Sequence, residues 1–324
     1  MAKVDVIVPI YNVGNYLERN LNSLVNQTYK DIRILCVNDG STDNSQAIVD
    51  CFAKNDERVL SFQKSNGGLS DARNYGLQYV ESEYVMFIDS DDFCELNMIE
   101  TALKCIEDNS ANMAVFGYNQ YYIETNKKEE IKLDIPEGIY ILDKNPEILA
   151  LTPNCAWNKI YKTSLFVENN IRYPFGYRYE DLGTTAKLMF IANRIAYINK
   201  PLYNYLIDRP NNITQQVDNK LYHVLDMIEE IVKFYKEHNA FDKYYDELYY
   251  LFERNIITTL RKLVGLNDNK FFFKFIDCVF KFKRRYFKRK SKKYNTRKDK
   301  GDFIYTKSFF IKIYYIYKNI SNKL

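Results

Sequence analysis

The sequence has two histidines and six cysteines, none of them in a CxxC pair, which excludes a typical zinc site. Cys36, Cys51, Cys94, Cys105, Cys155 and Cys278 are scattered and read as small core residues of a reduced, cytosolic protein. No run of about 18 apolar residues occurs, so no membrane-crossing helix is expected. The N-terminus lacks a basic segment followed by an apolar core and a cleavage site. It enters a strand at once through Val4-Asp5-Val6-Ile7-Val8, and no signal peptide is expected. Glycine and proline are few, at 11 and 7, whereas tyrosine and phenylalanine are many, at 29 and 21.

What is present supports a substantial core. The 324 residues are 46% hydrophobic, enough for one large domain or two ordinary ones. The net charge is only +4, but it is unevenly placed. Lys281 to Lys300 carries twelve Lys/Arg and one Asp, a local +11 that leaves −7 on the remainder. A basic tail on an acidic body points to an anionic partner for the tail.

The first part of the chain alternates between strand and helix patterns. Apolar runs at 3–9, 31–37, 59–63 and 84–88 read as strands. Helical spacing (Tyr16, Leu17, Leu21, Leu24, Val25), a helix-start signal at Ser41-Thr42-Asp43, and the segment Leu69–Val80 after a Gly67-Gly68 turn fill the gaps. This order predicts a parallel α/β sheet. Ligands of such sheets bind beyond the carboxyl ends of the strands. Three predicted strands end in polar residues: Pro9-Ile10-Tyr11-Asn12, Asn38-Asp39-Gly40-Ser41 and Asp89-Ser90-Asp91-Asp92. Parallel strands bring those ends to one edge, predicting a single polar site. Clustered carboxylates there suit a hard divalent ion, Mg2+ or Mn2+. An Asp-rich, helix-capping turn is the alternative, for Asp92 above all.

Further on, Asn109–Asp134 is strand-like, with Lys127-Lys128-Glu129-Glu130 expected at a hairpin tip. Trp157–Tyr161 reads as a short strand, Glu180–Ala192 as a helix and Ile195–Leu206 as a strand. From about Asp218 the chain turns helical, with apolar stripes through Leu221, Val224, Ile228, Ile231 and Tyr235 and through Leu248, Phe252, Ile256 and Leu260, which puts a boundary near 215. Two regions are expected, 1–215 and 216–324.

Six blocks in order resemble the inverting, GT-A-fold bacterial glycosyltransferases of family 2, across roughly residues 3–214. They are Val6–Asn12, Val37–Asp43, Asn66–Asn74, Phe87–Asp92, Trp157-Asn158-Lys159 and Tyr179–Leu182. The Gln-x-x-Arg-Trp block of the family's processive synthases is absent, which implies a dispersive enzyme. The resemblance implies a GT-A fold, Rossmann-like with a mostly parallel central sheet flanked by helices, followed here by a C-terminal α-helical region. It implies a hexosyl- or N-acetylhexosaminyltransferase that moves one sugar from a nucleotide sugar, UDP-linked, to a hydroxyl of a cell-surface glycan or lipid-linked acceptor.

Under that resemblance Asp89-Ser90-Asp91 is the DxD motif. Asp91 binds the Mn2+ or Mg2+ that bridges the phosphates, and Asp89 contributes to the metal or reaches the ribose. Asp39 accepts from the uracil N–H, Tyr11 packs on the base, and Pro9, Asn12, Asn66 and Gly68 shape the nucleotide site. Asp71 contacts the sugar or ribose. Arg73 binds the diphosphate, the alternative being a surface salt bridge with Asp71. Asp181 is the catalytic base and Glu180 orients a sugar, although both acids also suit a helix N-terminus. Trp157 and Lys159 are candidate acceptor contacts, with Trp157 alternatively a core residue. Arg209, ahead of Asn212-Ile213-Thr214, lies where relatives carry a phosphate-binding arginine.

The tail, Lys281-Phe-Lys-Arg-Arg-Tyr-Phe-Lys-Arg-Lys with Phe309, Phe310, Ile313, Tyr314 and Ile316 beyond, fits an anionic membrane surface best. That predicts a cytoplasmic enzyme peripheral at the inner face of the membrane. A homo-oligomerisation helix is the alternative, and no nucleic-acid partner is expected. A nucleotidyltransferase would want a Gly-rich, basic loop where Tyr11-Asn12-Val13-Gly14-Asn15 stands. A catalytically inactive, sugar-nucleotide-binding scaffold subunit is the other rival, opposed by intact Asp39, Asp89, Asp91 and Asp181.

Overall fold

The computed structural model describes residues 2–207, 209, 218–264, 269–289, 291 and 293–294. Two compact units divide the chain, residues 1–234 and 235–324. The boundary expected near residue 215 lies outside the described residues, as do Asn212-Ile213-Thr214 and the apolar residues 309–316.

Unit 1 begins with the expected alternation. It runs β1 (Val4–Ile10), α1 (Gly14–Val25), β2 (Ile32–Asn38), α2 (Ser45–Asn55), β3 (Val59–Gln63), α3 (Leu69–Leu77) and β4 (Tyr84–Phe87). β1 is buried at every position, as a parallel strand covered on both faces must be. It pairs in parallel with β2 (Ile10 opposite Asn38) and with β4 (Ile7 opposite Phe87), and β2 pairs in parallel with β3. Asp5 stands in this buried strand. Arg33 forks onto it with Nε to Oδ1 and NH2 to Oδ2, both 2.7 Å. The Glu81 and Ser82 backbone N–H groups donate to the same carboxylate at 2.8 and 3.0 Å.

Next come β5 (Phe93–Cys94), α4 (Met98–Asp108), β6 (Met113–Tyr122), β7 (Lys127–Ile131), β8 (Gly138–Ile141), α5 (Glu147–Leu151) and β9 (Lys159–Lys162). Then follow α6 (Ser164–Val167), α7 (Glu180–Ala192), β10 (Arg194–Leu206) and α8 (His223–Glu237), the last crossing the unit boundary. The sheet order is β3-β2-β1-β4-β9-β6-β10-β5, with β7 on β6 and β8 on β10. Parallel pairing holds through the first four strands. Beyond them only β6 with β10 is parallel among the described residues, so the sheet as a whole is mixed. The run Lys127-Lys128-Glu129-Glu130, expected at a hairpin tip, is the returning strand itself: Lys127 pairs with Tyr122 and Glu130 with Asn119. Residues 123–126 make the turn, with Asn126 at φ 52°. Edge position lets a charged tetrapeptide form a strand without burial.

Unit 2 holds α9 (Tyr245–Val264) and α10 (Asn269–Tyr286). Phe252 stacks on Phe282 at 5.6 Å and on Phe287 at 5.1 Å.

Candidate active site

Because β1 lies between β2 and β4, their exits converge. Asp39 N donates to Ile10 O at 2.8 Å, and Ile88 N donates to Ile7 O at 3.0 Å. Pro9 is buried in β1, and Tyr11, just past its end, is 50% exposed. Asn12, at φ 50°, is tied to the loop after β2: its N–H donates to Ser41 Oγ at 3.1 Å and its Oδ1 accepts from Thr42 N at 2.8 Å. Gly40 has φ 75°, and a Cβ there would lie 2.9 Å from Asn66 N, so a glycine is required by both torsion and space. The Asp39 carboxylate accepts from Gly67 N at 2.9 Å, Gly68 N at 2.7 Å and Lys64 Nζ at 2.6 Å. Asn66 Nδ2 donates to Asp39 O at 3.0 Å, and Lys64 also pairs with Asp71. Asp39 therefore pins the glycine turn, leaving about one of its four lone-pair sites for a ligand.

The acidic turn after β4 is held from behind by α1. Asn20 Nδ2 donates to Asp89 O at 3.0 Å and to Asp92 O at 2.9 Å. Ser23 Oγ accepts from Cys94 N, while Gln27 donates to Glu95 O and accepts from Ile99 N. Ser90 is buried. Asp92 is also buried and caps no helix, contrary to the alternative favoured for it. Its Oδ2 accepts from the Tyr203 hydroxyl at 2.7 Å and its Oδ1 from Leu206 N at 2.8 Å, strapping the turn to β10. Asp91 Oδ2 lies 2.9 Å from Arg209 Nε.

Arg73 joins this turn to the start of α7. Its guanidinium is fully buried. NH2 donates to Asp89 Oδ1 at 2.8 Å, and NH1 to Asp181 Oδ1 at 2.5 Å and Glu180 Oε1 at 3.1 Å. A surface pair with Asp71 is excluded, since Asp71 pairs with Lys64 and Arg73 lies in the interior. Burial would favour loss of the Arg73 proton, but Asp181, Asp89 and Glu180 outweigh it and hold the group charged. Asp181 Oδ2 also accepts from Ala156 N at 3.2 Å. Burial and then the Asp181 charge push Glu180 up to about 7, against Arg73. Burial raises Asp181 too, with Arg73 opposing and Asp89 adding to the rise.

The expected site residues thus form two connected groups. Tyr11, Asn12, Asp39, Asn66, Gly68 and Asp71 surround the β1 and β2 exits; Arg73, Asp89, Glu180 and Asp181 share ion pairs, with Asp91 and Arg209 beside them. Trp157 and Lys159 are buried residues, and the Lys159 charge acts on Asp181, opposing the rise of its pKa. Trp157 stacks on Tyr203 at 4.5 Å and Tyr205 at 5.4 Å, and Lys159 Nζ donates to Pro153 O at 2.8 Å and to Cys155 O. Acceptor contact by either does not start from an exposed side chain. Lys64 and Asn20 were not foreseen. A signal existed for Asn20: with Ser23 it lies among the core residues Leu17, Leu21 and Leu24 of α1, polar positions in an apolar face, and Gln27 follows just past the helix end.

A divalent cation fits the chemistry of this donor set. Asp89, Glu180 and Asp181 pair with the Arg73 guanidinium and Asp91 with that of Arg209, so both exposed-side carboxylates of the turn already hold cationic groups. Among the described residues no three His, Cys, Asp or Glu are grouped to hold a metal. Asp91, with Asp89, would supply one or two oxygens, the usual pattern when a diphosphate and water supply the rest.

The model of the family described as Glycosyl transferase family 2 matches residues 5–168. Glycosyltransferase GlyA of Streptococcus pneumoniae serotype 4 is 36% identical over 239 residues, covering 69% of this chain but only 33% of GlyA. Among solved structures, S. aureus TarS 1–349 in complex with UDP-GlcNAc superposes with TM-score 0.60 at 23% identity, covering 80% of this chain and 82% of that one. The mannosyltransferase PcManGT of Pyrobaculum calidifontis, in complex with GDP-Man and Mn2+, has TM-score 0.52 at 16% identity, covering 81% and 74%. Those two likenesses concern the fold.

Proposed function

The chain belongs to glycosyl transferase family 2, and from that premise we propose that it moves one sugar from a UDP-sugar to a hydroxyl of a cell-surface glycan or lipid-linked acceptor, with inversion. The observation that carries this reading is the Arg73 cluster, which ties Asp89 at the β4 exit to Glu180 and Asp181 on α7. Tyr11 packs on the uracil, and the remaining acceptor site of Asp39 takes the imide N–H. Arg209 and the Gly67-Gly68 turn face the diphosphate. Asp91, with Asp89, is suited to hold Mn2+ or Mg2+, which when bound stabilises charge on the departing diphosphate. Asp181 takes the proton of the acceptor hydroxyl as that oxygen attacks the anomeric carbon; Glu180 orients the incoming sugar. Arg73 keeps both acids ordered and, by neutralising part of their charge, keeps one of them ionised near neutral pH. The UDP-GlcNAc of TarS and the GDP-Man and Mn2+ of PcManGT support a nucleotide-sugar donor and a metal.

UDP release by the full chain, measured over a panel of UDP-sugars and glycan acceptors with Mn2+, tests this. Turnover is expected to vanish with EDTA, return with Mn2+, and fall at least about 100-fold in Asp91→Ala. Wild type that binds UDP with metal yet turns over no pair would favour the scaffold rival.

We propose further that unit 2 meets an anionic membrane. No helix among the described residues is long and apolar enough to cross one. On α10, Lys274, Lys281 and Arg284 are exposed on one face with a single acid, Asp277, which pairs with Lys281 at 2.6 Å, and beside Phe280, which is 43% exposed. Basic residues near an anionic surface contribute about 1 kcal/mol each, and an aromatic ring enters the interface. Flotation with phosphatidylglycerol vesicles is expected for wild type and to be lost on Lys281→Glu with Arg284→Glu; equal flotation of both sinks the idea.

A further inference from the structure

A cleft of about 270 Å3 lies in unit 1 between the segment before α7 and the exposed side of α8, lined by Phe175, Tyr177, Asp226, Glu229, Glu230 and Lys233, among others. Phe175 is 64% exposed and Tyr177 44%, unusual for rings that line a cavity. Facing them are three carboxylates and one ammonium, with Lys233 Nζ 3.2 Å from Glu230. None of these residues belongs to the nucleotide site described above.

The cleft is joined to the catalytic acids through α7. Glu180, Gly183 and Lys187 stand at i, i+3 and i+7, on one face of that helix. Gly183 packs so closely on the cleft residue Met227 that a Cβ there would lie 2.9 Å from its sulfur. Lys187 Nζ lies 3.8 Å from Glu230. The cleft therefore continues the helix face that begins at Glu180. Its aromatic segment is anchored: Arg178 N donates to His223 Nδ1 at 3.1 Å, and Arg178 NH2 pairs with Asp218 at 3.0 Å.

We infer that this cleft binds an uncharged saccharide unit of the acceptor; the inference rests on the glycosyltransferase reading above. Electron-rich ring faces of Phe175 and Tyr177 suit the C–H surface of a pyranose. Carboxylates accept from several sugar hydroxyls, and Lys233 donates to one. The volume, just below the range of about 300–1,000 Å3 for small-molecule sites, holds one or two rings. The excess of negative charge disfavours uronic acids and phosphate-bearing units, so an anionic carrier of the acceptor must lie outside the cleft.

Saturation-transfer NMR on the full chain tests this, with methyl β-glucoside, methyl β-galactoside, methyl N-acetyl-β-glucosaminide and methyl β-glucuronide as probes. At least one neutral glycoside is expected to bind through its ring protons, and the glucuronide more weakly. Phe175→Ala and Tyr177→Ala are expected to weaken binding about tenfold, the loss of a contact worth about 1.4 kcal/mol. UDP affinity, titrated with Mn2+ in the same variants, is expected to stay within twofold, which also certifies folding. UDP binding without any glycoside signal, variants that bind glycosides as wild type does, or a glucuronide bound as well as the neutral probes overturns the cleft alone. Glycoside binding that the two variants lose, in a protein that binds no UDP, supports the cleft and overturns the donor-site reading instead.

Discussion

Arg33 and Arg73 each hold carboxylates in unit 1, with opposite results. Arg33 forks onto Asp5, whose remaining capacity is filled by two backbone N–H groups; its second contact, Glu81, is exposed. Burial alone would raise the Asp5 pKa, but Arg33 and the Ser82 and Glu81 amides more than cancel it, and the net shift is down. Arg73 is asked to balance Asp89, Glu180 and Asp181 together, and burial wins at both α7 acids. The first arrangement is matched charge and gives stability. The second is a surplus of negative charge, which on the proposed mechanism lies where a cation and a proton acceptor are needed.

The largest expected difference is in turnover. Asp181→Asn removes the proposed base while keeping its shape and should lower kcat about 10²–10⁴-fold. The same change relieves crowding around Arg73, so the midpoint of thermal unfolding should stay level or rise. A large drop in that midpoint would mean that the Arg73 cluster is structural, like the Arg33 one.

Asp5→Asn makes the converse test. It removes the buried carboxylate from a half-buried Arg33, which keeps Glu81 and Tyr79 O, and should cost about 1–3 kcal/mol of stability, read as a lower urea midpoint at pH 7. kcat per folded molecule should stay within twofold, because Asp5 lies at the strand end away from the site. Equal losses of kcat and stability would erase the distinction between the two arginines.

How far this contrast was legible in the sequence follows from chain distance. The β1–β4 frame and the polar strand exits are local patterns, and Asp39, Asp89 and Asp91 could be placed at one edge from the alternation alone. The partners of Arg73 could not: Glu180 and Asp181 are 107 and 108 positions away. Its sequence neighbour Asp71 suggested a salt bridge that Lys64 in fact makes. Asp92 followed the general preference of Asp for caps, and tertiary contact with Tyr203 and Leu206 overrode it. Lys127–Glu130 read as a tip because charge usually marks turns; an edge strand tolerates it equally. The aromatic–acidic cleft joins residues 174–177 to α8, across a span where no periodic pattern pointed to a site.

The smallest effect is the most diagnostic, because the two clusters answer pH with opposite signs. Asp5, lowered below its ordinary 3.8, binds protons more readily when unfolded. Its stabilisation is complete above that value and is lost as pH falls through the folded pKa. Glu180, raised from 4.5 to about 7, holds its proton better when folded. Its contribution is complete below pH 4.5 and disappears as pH rises through about 7. The groups facing the acid pair are Arg73, Asp89, Lys159, Cys155, Tyr161 and Tyr173. Metal-free, ligand-free protein unfolded in urea at intervals from pH 4.5 to 8 should therefore lose stability with rising pH, and Glu180→Gln should flatten that slope while leaving the acid-side fall below pH 4 intact. Because Glu180 and Asp181 titrate as a pair, the midpoint belongs to both. A slope unchanged in Glu180→Gln would place the raised proton on Asp181 or remove it from the cluster, and Asp181→Asn, measured in the same series, separates those two outcomes.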